Sequence, residues 1–211
     1  DPELAAVPDP DDITRALPVP LVDPDDAAAG LLGSAALSSP RQVLDTIKVS
    51  RNEGFPNIAR DAVDDDADPL HPSPEIDLAE SRAHLELGNL DIALRLLHEV
   101  IDNHGDSWRV QWYLGIRALQ DGSAELAYER FHGVLEAMPG EVAPKLAVAG
   151  TAELIGYWLT TQEGMTNDQV AQVEHWYDIA RHHYHDLWLT DHSIVTAAFG
   201  LARMLVADHR H

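Results

Sequence analysis

A 34-residue period constrains this chain more than any other feature. Gly88, Gly122 and Gly156 stand 34 residues apart. Five residues after the first two lie Ala93 and Ala127, then Leu97 and Phe131, then Val100 and Val134. Seven residues before each glycine is a small residue: Ser81, Gly115 and Ala149. Helical hairpins explain these types. A small residue on the first helix lets the second cross closely, and a large apolar residue on the second fills the space beside it. The glycine ends the first helix and permits a left-handed turn. Each hairpin exposes an apolar face that the next one covers, so the predicted class is an all-α stack of hairpins.

Leu114-Gly115, then Ala127, Phe131 and Pro139, resembles the tetratricopeptide pattern. The expected architecture is a tetratricopeptide-like helical-hairpin solenoid with a right-handed superhelical path. Repeats are predicted at 74–107 and 108–141, with an irregular third at 142–192 and a truncated fourth at 193–211. In the third, Gly156 is read as the turn glycine, followed by an insertion over Tyr157–Met165. Thr166 to Gln169 is a capping box opening a long second helix. Phe199-Gly200 stands where Leu-Gly would, on a last helix spanning Ser193–Val206.

Eleven of the 13 prolines lie in residues 1–77. Proline removes a helix donor and biases its predecessor away from helix. Residues 1–73 are therefore expected to be an acidic, Pro-rich linker with short helices, preceding a repeat domain at 74–211. Asp-Pro-Asp-Asp occurs at Asp9–Asp12 and again at Asp23–Asp26. The second copy is read as an N-terminal helix signal: Asp23 as cap, Pro24 at the first position, and a helix over Ala27–Leu37. Ser39-Pro40 repeats that logic for a helix to about Val49. Asp61–Pro74 is expected to be a disordered or exposed acidic loop, having too little apolar surface to offset its ordering, and it lacks the glycine and terminal glutamate of a calcium loop.

The net charge of −22, with Lys48 and Lys145 the only lysines, argues against nucleic acid or an anionic membrane as partner. No apolar run approaches the roughly 20 residues of a membrane span. No signal peptide is visible. A cytoplasmic location is expected, and the start at Asp1 without Met reads as a piece of a larger protein. With no cysteine, thiolate sites are excluded. No nucleophile elbow or phosphate-binding glycine loop is present, so neither a catalytic residue nor a cofactor is expected. His175, His182, His183, His185 and His192 gather around the long helix, but match no compact zinc signature. Surface and interface roles are the favoured reading, and a histidine-cluster metal-binding fragment is the alternative.

Tetratricopeptide arrays are concave on the first-helix side. Positions predicted to face that groove are Leu78, Arg82 and Leu85, then Arg109, Trp112, Ile116 and Leu119, then Leu146 and Leu154. The candidate partner-binding set is Arg82, Arg109, Trp112, Ile116 and Leu146. Arginine and tryptophan dominate binding hot spots, and two arginines in an acidic chain would attract an acidic segment. The competing reading is that Trp112 is core and both arginines pair with nearby carboxylates. The acidic linker could itself occupy the groove.

Three strings carry a more specific likeness: ALPVPLVDPDDAAAGLL (Ala16–Leu32), GEVAPKLAVAGTAEL (Gly140–Leu154) and SIVTAAFGLAR (Ser193–Arg203). They resemble the C-terminal part of the actinobacterial protein kinase G family. The resemblance implies the linker and repeat region of a soluble serine/threonine kinase. Such kinases modify forkhead-associated regulators of the 2-oxoglutarate branch point and glutamate metabolism. It also implies a non-catalytic interaction and regulatory module. Expected partners are its own kinase domain, a forkhead-associated substrate, or a second copy in a homodimer. ATP and magnesium would belong to the kinase domain, whose motifs are absent here. A free-standing repeat scaffold is the remaining alternative.

Overall fold

The structure is a computed structural model describing residues 6–53, 73–162 and 164–208. Among these residues there are ten helices and no strand. The predicted loop at Asp61–Pro74 lies outside them, apart from Ser73 and Pro74. Packing divides the chain into two compact units, Asp1–Pro18 with Leu114–His211, and Val19–Tyr113.

In the Val19–Tyr113 unit, α2 (Ala29–Ser34) and α3 (Pro40–Glu53) precede α4 (Pro74–Glu86) and α5 (Leu90–His104). The predicted linker contributes to a core here. Ala28, Leu32 and Ala35 pack with Val43 and Ile47 of α3 and with Ile76 and Ala83 of α4. The start of α3 follows the sequence: Ser39 and Gln42 cap each other and Pro40 opens the helix. The Asp23 expectation does not hold. Asp23 accepts the Asp25 N–H and Asp26 accepts the Ala28 N–H, so these residues close turns, and α2 begins at Ala29. A side chain that bonds its own backbone two residues on competes with capping a helix. The α4–α5 pair forms the first predicted hairpin. Gly88 turns it at φ 75°, and Asn89 N–H reaches back to His84 O at 2.8 Å.

In the other unit, the first Asp-Pro-Asp-Asp copy forms the cap expected of the second. Asp9 and Asp12 build a reciprocal capping box on α1 (Pro10–Ala16). The remaining helices are α7 (Ala124–Ala137), α8 (Val142–Thr160), α9 (Asn167–Thr190) and α10 (Val195–Asp208). Helix α6 (Trp108–Gln120) supplies residues to both units. Gly122 turns the α6–α7 hairpin at φ 78°. Gly115 is the close crossing that the pattern requires: a Cβ there would lie 2.6 Å from the Phe131 ring.

The third hairpin corrects the assigned phase. Gly156 lies inside α8 and has no positive φ. A Cβ there would meet the Tyr177 ring at 2.6 Å, so Gly156 is a crossing glycine. The hairpin is longer than its predecessors, and Gly164 has the positive φ, at 71°. Thr166 and Gln169 form the predicted box at the start of α9. Gly200 repeats the crossing device on α10, against the ring of Tyr184. One small residue per crossing is thus kept while hairpin length changes.

Candidate functional site

Arg109, in the first turn of α6, has its guanidinium 4.5 Å above the Trp108 ring. Its Nε meets Glu75 Oε1 of α4 at 3.1 Å, and its Nη2 donates to the backbone carbonyl of Leu21 at 3.3 Å. The Asp23 backbone works to lower the pKa of the same Glu75 carboxylate. An arginine, a buried glutamate and a piece of the preceding segment are therefore tied together. Burial raises the pKa of Glu75, Arg109 opposes the rise, and the charges of Asp26 and Asp23 add to it.

The other predicted groove residues divide by burial. Arg82 is half-buried and pairs with Glu86 one turn along α4 at 3.2 Å. Trp112 is 2% exposed. Leu78, Leu85, Leu119 and Leu154 are also buried, which corrects their assignment to an open groove wall. Helix-first positions in a hairpin stack face the neighbouring helices as well as the concavity, and the large apolar ones fill the core. Ile116 is half-buried. Leu146, in the other unit from Arg109, is buried beside α1.

That second unit contains a groove on α8. Ile13 of α1 seats over Gly150, its nearest carbon 3.4 Å from where a glycine Cβ would stand. Leu17, four residues on, is buried as well. Beside α1 a cleft of about 310 Å³ remains, walled by Val7, Pro8, Leu146, Val195, Phe199 and Arg203.

Beneath the cleft lies an ion pair that the sequence reading missed. Glu153 of α8 is fully buried. It accepts two hydrogen bonds from Arg203 of α10 and one, at 2.9 Å, from the Tyr184 hydroxyl of α9. Burial works against the charge on Arg203, but bonding to Glu153 outweighs it and holds the arginine above its ordinary pKa. Burial, reinforced by the Glu153 charge, pushes Tyr184 well above its usual value. A signal existed: Glu153 is the single charge in the run Leu146–Ile155, which is otherwise apolar except for Thr151. Such a residue is buried only with a partner. The partner, 50 residues away, could not be named.

The histidines do not form one cluster: His182, edge-on to His183 at 5.3 Å and 3.4 Å from Asp186, shares Asp186 with His185, while His175 lies beside Trp176 and His192 beside Trp188. Among the described residues no three of His, Asp or Glu are placed to hold a metal ion. Nor is any helix of these residues long and apolar enough to cross a membrane.

This geometry, a hairpin array with peptide-like segments on its first helices, agrees with the comparisons with known proteins. The family model for the protein kinase G tetratricopeptide repeat matches residues 4–211. The chain belongs to that family. It is 38% identical over 197 residues to the serine/threonine-protein kinase PknG of Mycobacterium leprae, and 35% identical over 192 residues to that of Mycolicibacterium smegmatis. The matches cover 93% and 91% of this chain but 22% of each relative. The chain is thus the tetratricopeptide region of a PknG-type protein and holds no kinase domain. Tetratricopeptide repeats in general mediate contacts between proteins, consistent with a non-catalytic interaction module.

Proposed function

We propose that this region serves a PknG-type serine/threonine kinase as its protein-holding module, with the phosphoryl-transfer chemistry carried elsewhere in the parent. Arg109 carries the reading. It already holds a main-chain carbonyl of the preceding, non-helical segment, beside an aromatic face and a carboxylate. That is the chemistry by which a groove holds a peptide. Arg82, on α4 of the same unit, extends the surface, and the buried Trp112 belongs to that unit's core. The proposed occupant in trans is a forkhead-associated regulator of 2-oxoglutarate and glutamate metabolism. The parent's own kinase domain and a second copy of the chain are further partners. The site is proposed to act in the cytoplasm without metal or cofactor, ATP and magnesium being bound by the kinase domain.

Calorimetric titration of the chain with a forkhead-associated regulator tests this. Arg109→Glu is expected to weaken binding at least tenfold while helicity by circular dichroism is retained. Unchanged affinity would remove Arg109 from the interface, and absence of binding by the unsubstituted chain would refute the partner.

A further inference from the structure

We propose that α1 is an internal ligand of the groove on α8, and that a partner's amphipathic helix binds there by displacing it. This rests on the interaction-module reading above and adds its regulation.

Two observations make α1 a ligand rather than a structural helix. It has seven residues, and Ile13 is the one it buries, with Leu17 buried just past its end. Asp11, Asp12, Arg15 and Ala16 face solvent. These two side chains, four residues apart, are the anchors of an amphipathic helix lying in a groove. The groove is shaped for such an anchor, because Gly150 leaves open the place where Ile13 sits. The capping box of Asp9 and Asp12 also satisfies the α1 N-terminus from within the segment. Its helical start therefore does not depend on the groove.

The fit is incomplete, which makes the occupant exchangeable. The cleft of about 310 Å³ beside α1 is not filled by the described residues, and Val195 and Phe199 on its α10 wall stay 56% and 38% exposed. The displacing partner is a helix of at least two turns with aliphatic or aromatic anchors at i and i+4. A further apolar side chain would cover Val195 and Phe199. When the bound state of a groove is occupied from within, apparent affinity falls by the fraction of molecules that are open.

The probe is a fluorescein-labelled peptide of residues 6–18, titrated by anisotropy into the 211-residue chain. Ile13→Asp in the chain releases α1 without touching the groove wall and is expected to tighten peptide binding at least about tenfold. Equal affinity for both chains, or no binding to either, overturns the proposal. A second measurement needs no substitution in the chain. In hydrogen exchange, excess peptide should strip protection from α1 amides while those of α8 and α9 keep theirs. A peptide carrying Ile13→Asp should have no such effect. Amides of α1 that exchange as slowly as those of α8, and ignore the peptide, also overturn it. These readouts leave Arg109 intact, so their failure is distinct from loss of partner binding in the Arg109→Glu titration.

Discussion

Arg203→Met is the most informative single substitution in this fold. Glu153 is fully buried, and Arg203 supplies two of the three hydrogen bonds to its carboxylate. Methionine fills part of the arginine's volume but leaves the carboxylate with the Tyr184 hydroxyl alone. Breaking one side of a buried pair destabilises by about 3–5 kcal/mol, because the remaining charge is uncompensated. For a chain of this size each kcal/mol moves the melting temperature by about 2–4 °C. The expected loss is therefore about 6–20 °C in the transition that reports α8–α10, followed by circular dichroism. Adding Glu153→Gln removes the stranded charge and keeps an acceptor for Tyr184. The double variant should recover at least half of the loss, the two sites being coupled. A shift under about 2 °C for Arg203→Met would refute the account. So would a double variant less stable than the single.

Three further outcomes follow from the packing. Gly115→Leu should destabilise the α6–α7 hairpin by at least about 1–3 kcal/mol, since its Cβ alone would lie 2.6 Å from the Phe131 ring; an unchanged urea midpoint would disprove the crossing. Gly122→Asn and Gly156→Asn should separate two glycines that the 34-residue period equates. The first meets open space at a φ that asparagine tolerates, the second meets Tyr177, and thermal melts should show a larger loss for Gly156→Asn. Burial raises the pKa of Asp77, with Arg51 opposing the rise. A raised folded-state pKa favours folding below the unfolded value and loses that contribution as pH rises through the folded one. Asp77→Asn should therefore flatten the decline in stability from about pH 4 upward, measured by urea titration across pH.

Local chemistry alone announced much of the repeat scaffold. Gly88 and Gly122 need left-handed backbone, Gly115 needs a neighbour's ring, and Thr166 with Gln169 needs a helix start; each demand is met within its own hairpin. Arg109 was readable as a candidate for peptide contact and the linker as a candidate occupant, but the bond to the Leu21 carbonyl was not. Burial decided the fate of Trp112, because periodicity places a side chain on a helix face without saying what covers that face.

Tertiary packing decided the rest, for two physical reasons. Identical local signals compete with side-chain bonding nearby, so Asp9 caps a helix while Asp23, in the same four-residue motif, closes a turn. Identical spacing also tolerates hairpins of different length, so Gly156 shares a phase with Gly122 yet makes a crossing where Gly122 makes a turn. The Glu153–Tyr184–Arg203 cluster and the seat of Ile13 on Gly150 join residues from separate helices. The pattern along the chain set which helices could form and which sides were apolar. Only their stacking determined which charges would be buried together and which segment would lie in the groove, because both depend on contacts between residues far apart in the chain.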